Sequence, residues 1–343
     1  MAAVSYGGMD PLTGPGLAPL ELGDRRPPDP SAEPAGFVVA TDDAIRIHFL
    51  DWGGGPAAPQ PRPPGSTRVP RTPSVLLLHG LASTAWSWTP VARRLCRAAR
   101  VIAMDLRGHG LSDAPTGGYD PDVLADDAIA VAEGAGLLAL AGDPPGGPLV
   151  LAGIGYGAIV AAWTGDALGD RCAGLVLVDG GWEDLAATTE ATPEEWLAAI
   201  EEPPEVLASM AAWLADREAF DPATWDAGEE RAARAQVVET AAGRVKLAVH
   251  PHALAASVRA MWAYDPVAVL PAVVAPIVAL VARDEDGSRV AALRDVAQRR
   301  LEAGRSPILV ASFPGHGHNL ARHEPETVAA AVLAAASGAT MRP

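Results

Sequence analysis

The chain is poor in cysteine and in positive charge and has no long apolar run, and each shortage excludes something. Its only cysteines, Cys96 and Cys172, lie far apart in apolar surroundings, which argues against a disulfide framework and fits reduced core thiols in a cytoplasmic protein. Lys and Arg number 26 against 42 Asp and Glu, a formal net charge of −16. The acids are spread along the chain and form no tail, so the protein's field repels phosphate backbones and anionic lipid. Neither nucleic acid nor a membrane surface is an expected partner. No apolar run reaches the ~20 residues of a membrane span, and Met1 to Asp10 has neither the basic start nor the apolar stretch of an export signal.

What is present suffices for a large core. The chain has 343 residues, 49% hydrophobic and 20% charged, enough for one large α/β domain with an insertion or for two ordinary domains. Residues 1–35 are rich in Pro, Gly and Asp without hydrophobic period and read as a disordered leader. From Gly36 to Trp52 two apolar runs flank Thr41-Asp42-Asp43, a hairpin signal, and a Pro/Gly loop over 53–73 follows. Continuous apolar runs then recur at 75–78, 101–104, 149–152, 175–178, 277–281 and 308–311, with stretches of helical period between them, including 288–303 and 325–336. Such runs predict a mostly parallel, doubly wound sheet covered on both faces. Residues 181–265 break the rhythm. They are acidic, favour helix and carry Trp182, Trp196, Trp213, Trp225 and Trp262, which predicts a helical lid. The expected organisation is therefore a core over 36–180 and 266–338, interrupted by a lid over 181–265.

Ligands of open α/β sheets bind beyond the carboxyl ends of the strands, and four such ends carry chemistry. His79-Gly80-Leu81 forms a sharp turn that can aim an amide N–H into the cleft. Asp105 to Asp113 is a glycine-containing loop in which Arg107 can tie acids together. Gly153-Ile154-Gly155-Tyr156-Gly157 occupies the place of a G-x-S-x-G nucleophile elbow between strand and helix, with Gly155 at the central position. That turn needs positive φ, which glycine adopts at no steric cost, so the architecture survives while the hydroxyl is missing. Phe313 to Leu320 is a glycine-flanked loop suited to presenting an imidazole, and Arg283-Asp284-Glu285-Asp286 can supply the carboxylate that orients it.

Other readings of the same residues compete. Gly153-x-Gly155-x-x-Ala158 with Asp179 one strand later satisfies a dinucleotide fingerprint, although the flanking His loops are foreign to that fold. His316-x-His318 and His250-x-His252 have metal-ligand spacing but no clear third ligand. Ser83, Thr84 and Ser87 place hydroxyls near the first turn, where helix caps are the ordinary use of such residues. No cofactor and no metal is expected.

Taken together, four motifs in this order resemble the α/β-hydrolase superfamily over residues 36–338. The resemblance implies amides of Leu81 and Tyr156 as oxyanion donors and His318 as general base. It implies one of Asp284, Glu285 or Asp286 as the acid, with Glu285 at the family's usual spacing from Pro276. Two departures stand out: Gly155 where the family has Ser, Asp or Cys, and Ile154 where it often has His. The expected activity is hydrolysis of a small apolar ester or other carbonyl compound through water activated by His318, without a covalent Ser intermediate. The alternatives are a lyase, isomerase or cyclase, a catalytically silent ligand binder, and an NAD(P)-dependent oxidoreductase.

Overall fold

The computed structural model describes residues 11–12, 32–54, 72–138 and 149–336. Its strands are β1 Ala35–Ala40, β2 Arg46–Gly53, β3 Ser74–Leu78, β4 Arg100–Met104, β5 Leu149–Ile154, β6 Cys172–Val178, β7 Val237–Glu239, β8 Val245–Leu247, β9 Ile277–Val281 and β10 Ile308–Ser312. Eight of them form one sheet in the order β1-β2-β4-β3-β5-β6-β9-β10. β1 and β2 pair antiparallel at one edge, and β4 onwards run parallel.

The helices are α1 Thr89–Leu95, α2 Pro121–Gly134, α3 Tyr156–Leu168, α4 Leu185–Thr188, α5 Pro193–Ala199, α6 Met210–Phe220, α7 Ala227–Ala235, α8 Pro251–Ala263, α9 Pro266–Ala272, α10 Ser288–Glu302, α11 Leu320–His323 and α12 Pro325–Ala336. Because side chains alternate along a strand, the apolar runs feed two cores. Leu76, Leu78, Leu175 and Leu177 pack with α2, α3 and α10 on one face. Val75, Val176 and Val178 pack with α1 and α12 on the other.

From central β3 the chain moves to β4 on one side and later to β5 on the other, so strand order reverses between β3 and β5. The crevice that such a reversal opens lies at the carboxyl ends of these strands, where His79-Gly80-Leu81 and Gly153 to Gly157 sit.

Two expectations need correction. The segment after β6 is not helical throughout: Val237–Glu239 and Val245–Leu247 pair as a hairpin, closed by the Thr240 amide donating to Arg244 O at 2.7 Å. Its β-branched residues around a glycine-containing turn favour strand over helix. The leader, for its part, is not without contacts. Leu12 is buried and the Ile308 amide donates to Pro11 O at 3.3 Å; residues 1–10 and 13–31 lie outside the described residues, as does most of the 53–73 loop. Among the described residues no helix is long and apolar enough to cross a membrane.

Helix α3 crosses directly over the end of β3, and Gly157 makes that crossing possible. A methyl group there would lie 2.2 Å from Leu78 O and 2.4 Å from His79 O. At Gly165, in the same helix, the nearest atoms would be 3.6 Å away. Gly157→Ala is therefore expected to lose about 1–3 kcal/mol by overpacking, whereas Gly165→Ala gains up to ~1 kcal/mol of helix propensity. Urea unfolding of the two variants checks the contrast.

Candidate active site

Four loops converge at the crevice, and buried polar contacts fix their shapes. His79 Nε2 accepts the Leu106 amide at 3.0 Å, which puts the ring proton on Nδ1, where it donates to Gly80 O at 2.8 Å. Burial lowers the pKa of His79 and keeps the ring neutral. Asp105 collects His48 Nδ1 at 2.8 Å and the amides of Ala85 at 2.7 Å and Leu111 at 3.0 Å. Burial alone would raise its carboxyl, but these partners outweigh it and hold the group below the ordinary carboxylate value. Arg107 ties acids together as its loop suggested, bonding Asp127 through Nε at 2.7 Å and Nη2 at 2.6 Å.

Gly155 forms the corner between β5 and α3 at φ 54°, ψ −116°. This is the conformation the motif called for, and its amide donates to Val178 O at 3.1 Å. Tyr156 is the first residue of α3, so its amide has no acceptor inside the helix. Leu81 and Tyr156 both line a cavity of about 740 Å³ together with Gly155, Asp179 and His318. Ile154 is buried in the core and also lines the cavity.

The loop after β10 brings His318 directly over Gly155. A Cβ at residue 155 would lie 2.9 Å from His318 Nε2 and 3.2 Å from its Cε1, so the imidazole overhangs the space a side chain would enter. The ring's other nitrogen, Nδ1, meets Asp179 Oδ2 at 2.6 Å. The His318 side chain is 62% exposed and the Asp179 side chain 3%, so the ring faces the cavity from a buried anchor.

Asp179, not one of the acids at 284–286, is thus the carboxylate that orients the imidazole. Glu285 is 79% exposed and pairs with Arg283 at 3.6 Å. Asp284 accepts the amides of Arg289 at 3.2 Å and Val290 at 3.0 Å and so caps α10. Asp286 accepts the Ser288 amide at 3.0 Å. Asp284 and Asp286 thus serve free amides at the foot of a helix, whereas Asp179 ends the strand beside them. Asp179 also holds a non-glycine φ of 48°, a strained conformation of the kind found at functional sites.

The remaining contacts of Asp179 complete its environment. Oδ1 accepts the Ala282 amide at 2.8 Å and Arg289 Nη1 at 2.6 Å. Burial would raise this carboxyl, but the His318 bond, Arg289 and the Ala282 amide together hold it below its ordinary value. Neighbouring Glu183, bonded to Arg289 Nε at 2.6 Å, goes the other way: burial raises it despite Arg289. The ribose hydroxyl that the dinucleotide reading assigns to Asp179 would have to compete with these three donors.

The other candidates fall apart. The rings of His250 and His252 lie tilted with centroids 5.6 Å apart, and His252 Nε2 bonds Ala114 O and Pro115 O. His316 turns to Glu324 at 3.1 Å, away from His318. Among the described residues no three His, Cys, Asp or Glu side chains are grouped to hold a metal. Ser87 Oγ donates to Thr84 O at 2.9 Å, Thr84 Oγ1 is buried without a partner, and Ser83 and Ser87 line the cavity. Of the five tryptophans, Trp196 and Trp213 line the cavity, Trp225 an adjoining smaller one, and Trp182 is fully buried. Trp262 packs edge-on against Trp196 and donates from Nε1 to Ala191 O at 3.2 Å.

The lowered Asp179 carboxyl makes stability depend on pH. Its contribution is present above the unfolded carboxylate pKa of about 4 and is lost as pH falls through the lower folded value. The stability advantage of the parent over Asp179→Asn should therefore narrow on acidification from pH 5 towards 3. Urea midpoints across that range check it; an advantage that stays constant would show the carboxyl to be unperturbed.

Comparison with known proteins agrees with this fold. The model of the Alpha/beta hydrolase family matches residues 75–331. A non-heme chloroperoxidase of Streptomyces lividans is 34% identical over 97 residues, 28% of this chain and 30% of that protein. Bifunctional epoxide hydrolase 2 of Sus scrofa is 31% identical over 125 residues, 36% of this chain and 18% of its own. The chain thus matches less than a third of the length of these relatives. Among solved structures, E-2-(acetamidomethylene)succinate hydrolase superposes with a TM-score of 0.63 at 21% identity, covering 87% of this chain and 97% of that one. A thioesterase domain from the curacin biosynthetic pathway gives 0.63 at 17%, covering 88% and 99%. With three quarters of its length matched in one continuous stretch, this chain belongs to the alpha/beta hydrolase family.

Proposed function

We propose that this protein is a hydrolase-like enzyme for a small, mostly apolar ester or other carbonyl compound, working without a covalent serine intermediate. The observation that carries the reading is the position of His318. Its Nδ1 is held by Asp179 at 2.6 Å, and its Nε2 faces a Gly155 that has nothing to attack with. Gly155 stands where the family's nucleophile belongs, so the attacking group has to be water or part of the substrate.

In hydrolysis, Nε2 takes a proton from water as the water oxygen bonds the carbonyl carbon. Negative charge moves to the carbonyl oxygen, between the Leu81 and Tyr156 amides, which form the oxyanion hole. The adduct collapses, the C–O bond to the leaving group breaks, and the departing oxygen takes the proton back from Nε2. Asp179 keeps Nδ1 protonated and stabilises the imidazolium. The residues at 181–265 act as the lid over the 740 Å³ cavity, whose Leu, Ile, Met and Trp lining suits an apolar substrate. The hydrolases among the matched relatives support the class of reaction. The two buried thiols, Cys96 and Cys172, support a cytoplasmic setting.

One feature favours a second reading, as a lyase, isomerase or cyclase: a base beside oxyanion donors, with the nucleophile's space filled by the imidazole itself, also suits proton abstraction next to a carbonyl.

Turnover of a panel of short aryl and alkyl esters tests the first reading. His318→Ala should lower kcat/KM by about 10²–10⁴; unchanged turnover removes the imidazole from the reaction. Gly155→Ser should become reactive towards a fluorophosphonate at the new hydroxyl while the parent stays unlabelled. The variant requires His318 to withdraw from its 2.9 Å approach and Ser to adopt φ 54°, a strain of about 1–3 kcal/mol.

A further inference from the structure

The wall of the cavity carries a four-membered chain of charged groups of which the proposed mechanism uses only half. Glu183 Oε1 accepts from Arg289 Nε at 2.6 Å, Arg289 Nη1 donates to Asp179 Oδ1 at 2.6 Å, and Asp179 Oδ2 meets His318 Nδ1 at 2.6 Å. The guanidinium also lies 5.4 Å from the centre of the Trp182 ring. We infer that Arg289 is a positioning residue of the site: it takes one oxygen of Asp179 so that the other points at His318, and it thereby sets how strongly Asp179 holds the proton on the imidazole.

Three observations support this assignment. First, both ends of the guanidinium are committed, one to each carboxylate, so its plane is fixed and Asp179 cannot rotate without breaking a charged hydrogen bond. Second, Arg289 is delivered by a cap: its own amide donates to Asp284 at 3.2 Å. One of the three acids that the sequence offered as the partner of His318 thus serves the helix that brings the arginine. Third, the other charged groups around His318 are occupied elsewhere. On its own loop, His316 pairs with Glu324, and in α11 Arg322 and His323 face Asp221 and Glu229. From the β9–α10 connection Arg283 pairs with Glu285, and across the cavity Arg217 pairs with Glu202 and Asp216. Among the described residues, Arg289 shares the Asp179 carboxylate with the imidazole, and Glu183 acts through Arg289.

The signs follow from Coulomb's law. The Arg289 cation draws on the Asp179 charge that would otherwise favour a protonated imidazole, so removing it strengthens the Asp179–His318 pair. Glu183 holds Arg289 from the far side, so neutralising Glu183 frees the cation for Asp179 and weakens that pair. The two neighbours should therefore act in opposite directions, which loosening of the structure does not produce.

The inference rests on the reading of His318 as the working base, but its test needs no turnover. In full-length protein labelled with 15N-histidine, the His318 resonances are identified by their loss in His318→Ala and titrated in the parent, Arg289→Met, Arg289→Lys and Glu183→Gln. The titration midpoint should move to higher pH by about one unit, a tenfold change in proton affinity, in Arg289→Met. It should move to lower pH in Glu183→Gln and stay near the parent in Arg289→Lys. Midpoints that do not move, or that move the same way in Arg289→Met and Glu183→Gln with native circular dichroism, overturn the assignment. Should Arg289→Met fail to fold, Glu183→Gln decides alone: a downward shift supports the role and an unchanged midpoint ends it. If esters are turned over, the acid limb of the pH–rate profile should follow the same displacements. An absence of turnover retires the hydrolase reading without touching the titration.

Discussion

The hydrogen bond between His318 and Asp179 organises the site, and it joins parts of the chain 139 residues apart. Asp179 is buried at the end of β6, in a strained left-handed conformation, with both carboxylate oxygens hydrogen-bonded. The His318 side chain is mostly exposed, and that carboxylate anchors its ring. The geometry of the cavity floor is therefore set from below. The sheet fixes Asp179, Asp179 fixes the imidazole, and the imidazole rests against a corner that has no side chain to displace it.

The rest of the fold serves the same end. Asp105 gathers β2, the turn after β3 and the loop after β4 into one knot, and the neutral His79 ring turns the Gly80 carbonyl to itself. Burial also pushes His109 down to about 3, so a second imidazole under the site stays uncharged and adds no competing cation. These arrangements shape the floor of the cavity, and the segment after β6 lines it with Leu185, Trp196, Ile200, Trp213, Leu254 and Met261 beside the charged Glu183, Glu202 and Arg217.

Much of this was legible in the sequence for a simple reason. Buried parallel strands read as unbroken apolar runs, and the loops at their carboxyl ends carry the polar residues, so strand positions, the Gly155 corner and the His318 loop could be located from local pattern. The acid could not. Asp284, Glu285 and Asp286 follow β9 just as Asp179 follows β6, and the two strands are neighbours. Local pattern does not say which carboxylate turns to the imidazole and which caps α10. Asp179 had been noticed only as a ribose ligand, and its φ of 48° leaves no mark on the sequence. Arg289 was invisible for the same reason: its place in a helix is evident, but the two carboxylates it bridges come from a different strand end. The β7–β8 hairpin was hidden inside a region whose composition favours helix.

In the proposed function a carbonyl group is worked on above Gly155 by water, His318 and two backbone amides. A crystal structure with a trifluoromethyl ketone, whose hydrate resembles the adduct of water and a carbonyl, tests it most directly. The account predicts one hydrate oxygen within about 3 Å of the Leu81 and Tyr156 amides and the other on His318 Nε2, with no bond to the protein. An analogue joined covalently to Ser83 or Ser87, or bound with His318 turned away from Gly155, would contradict it.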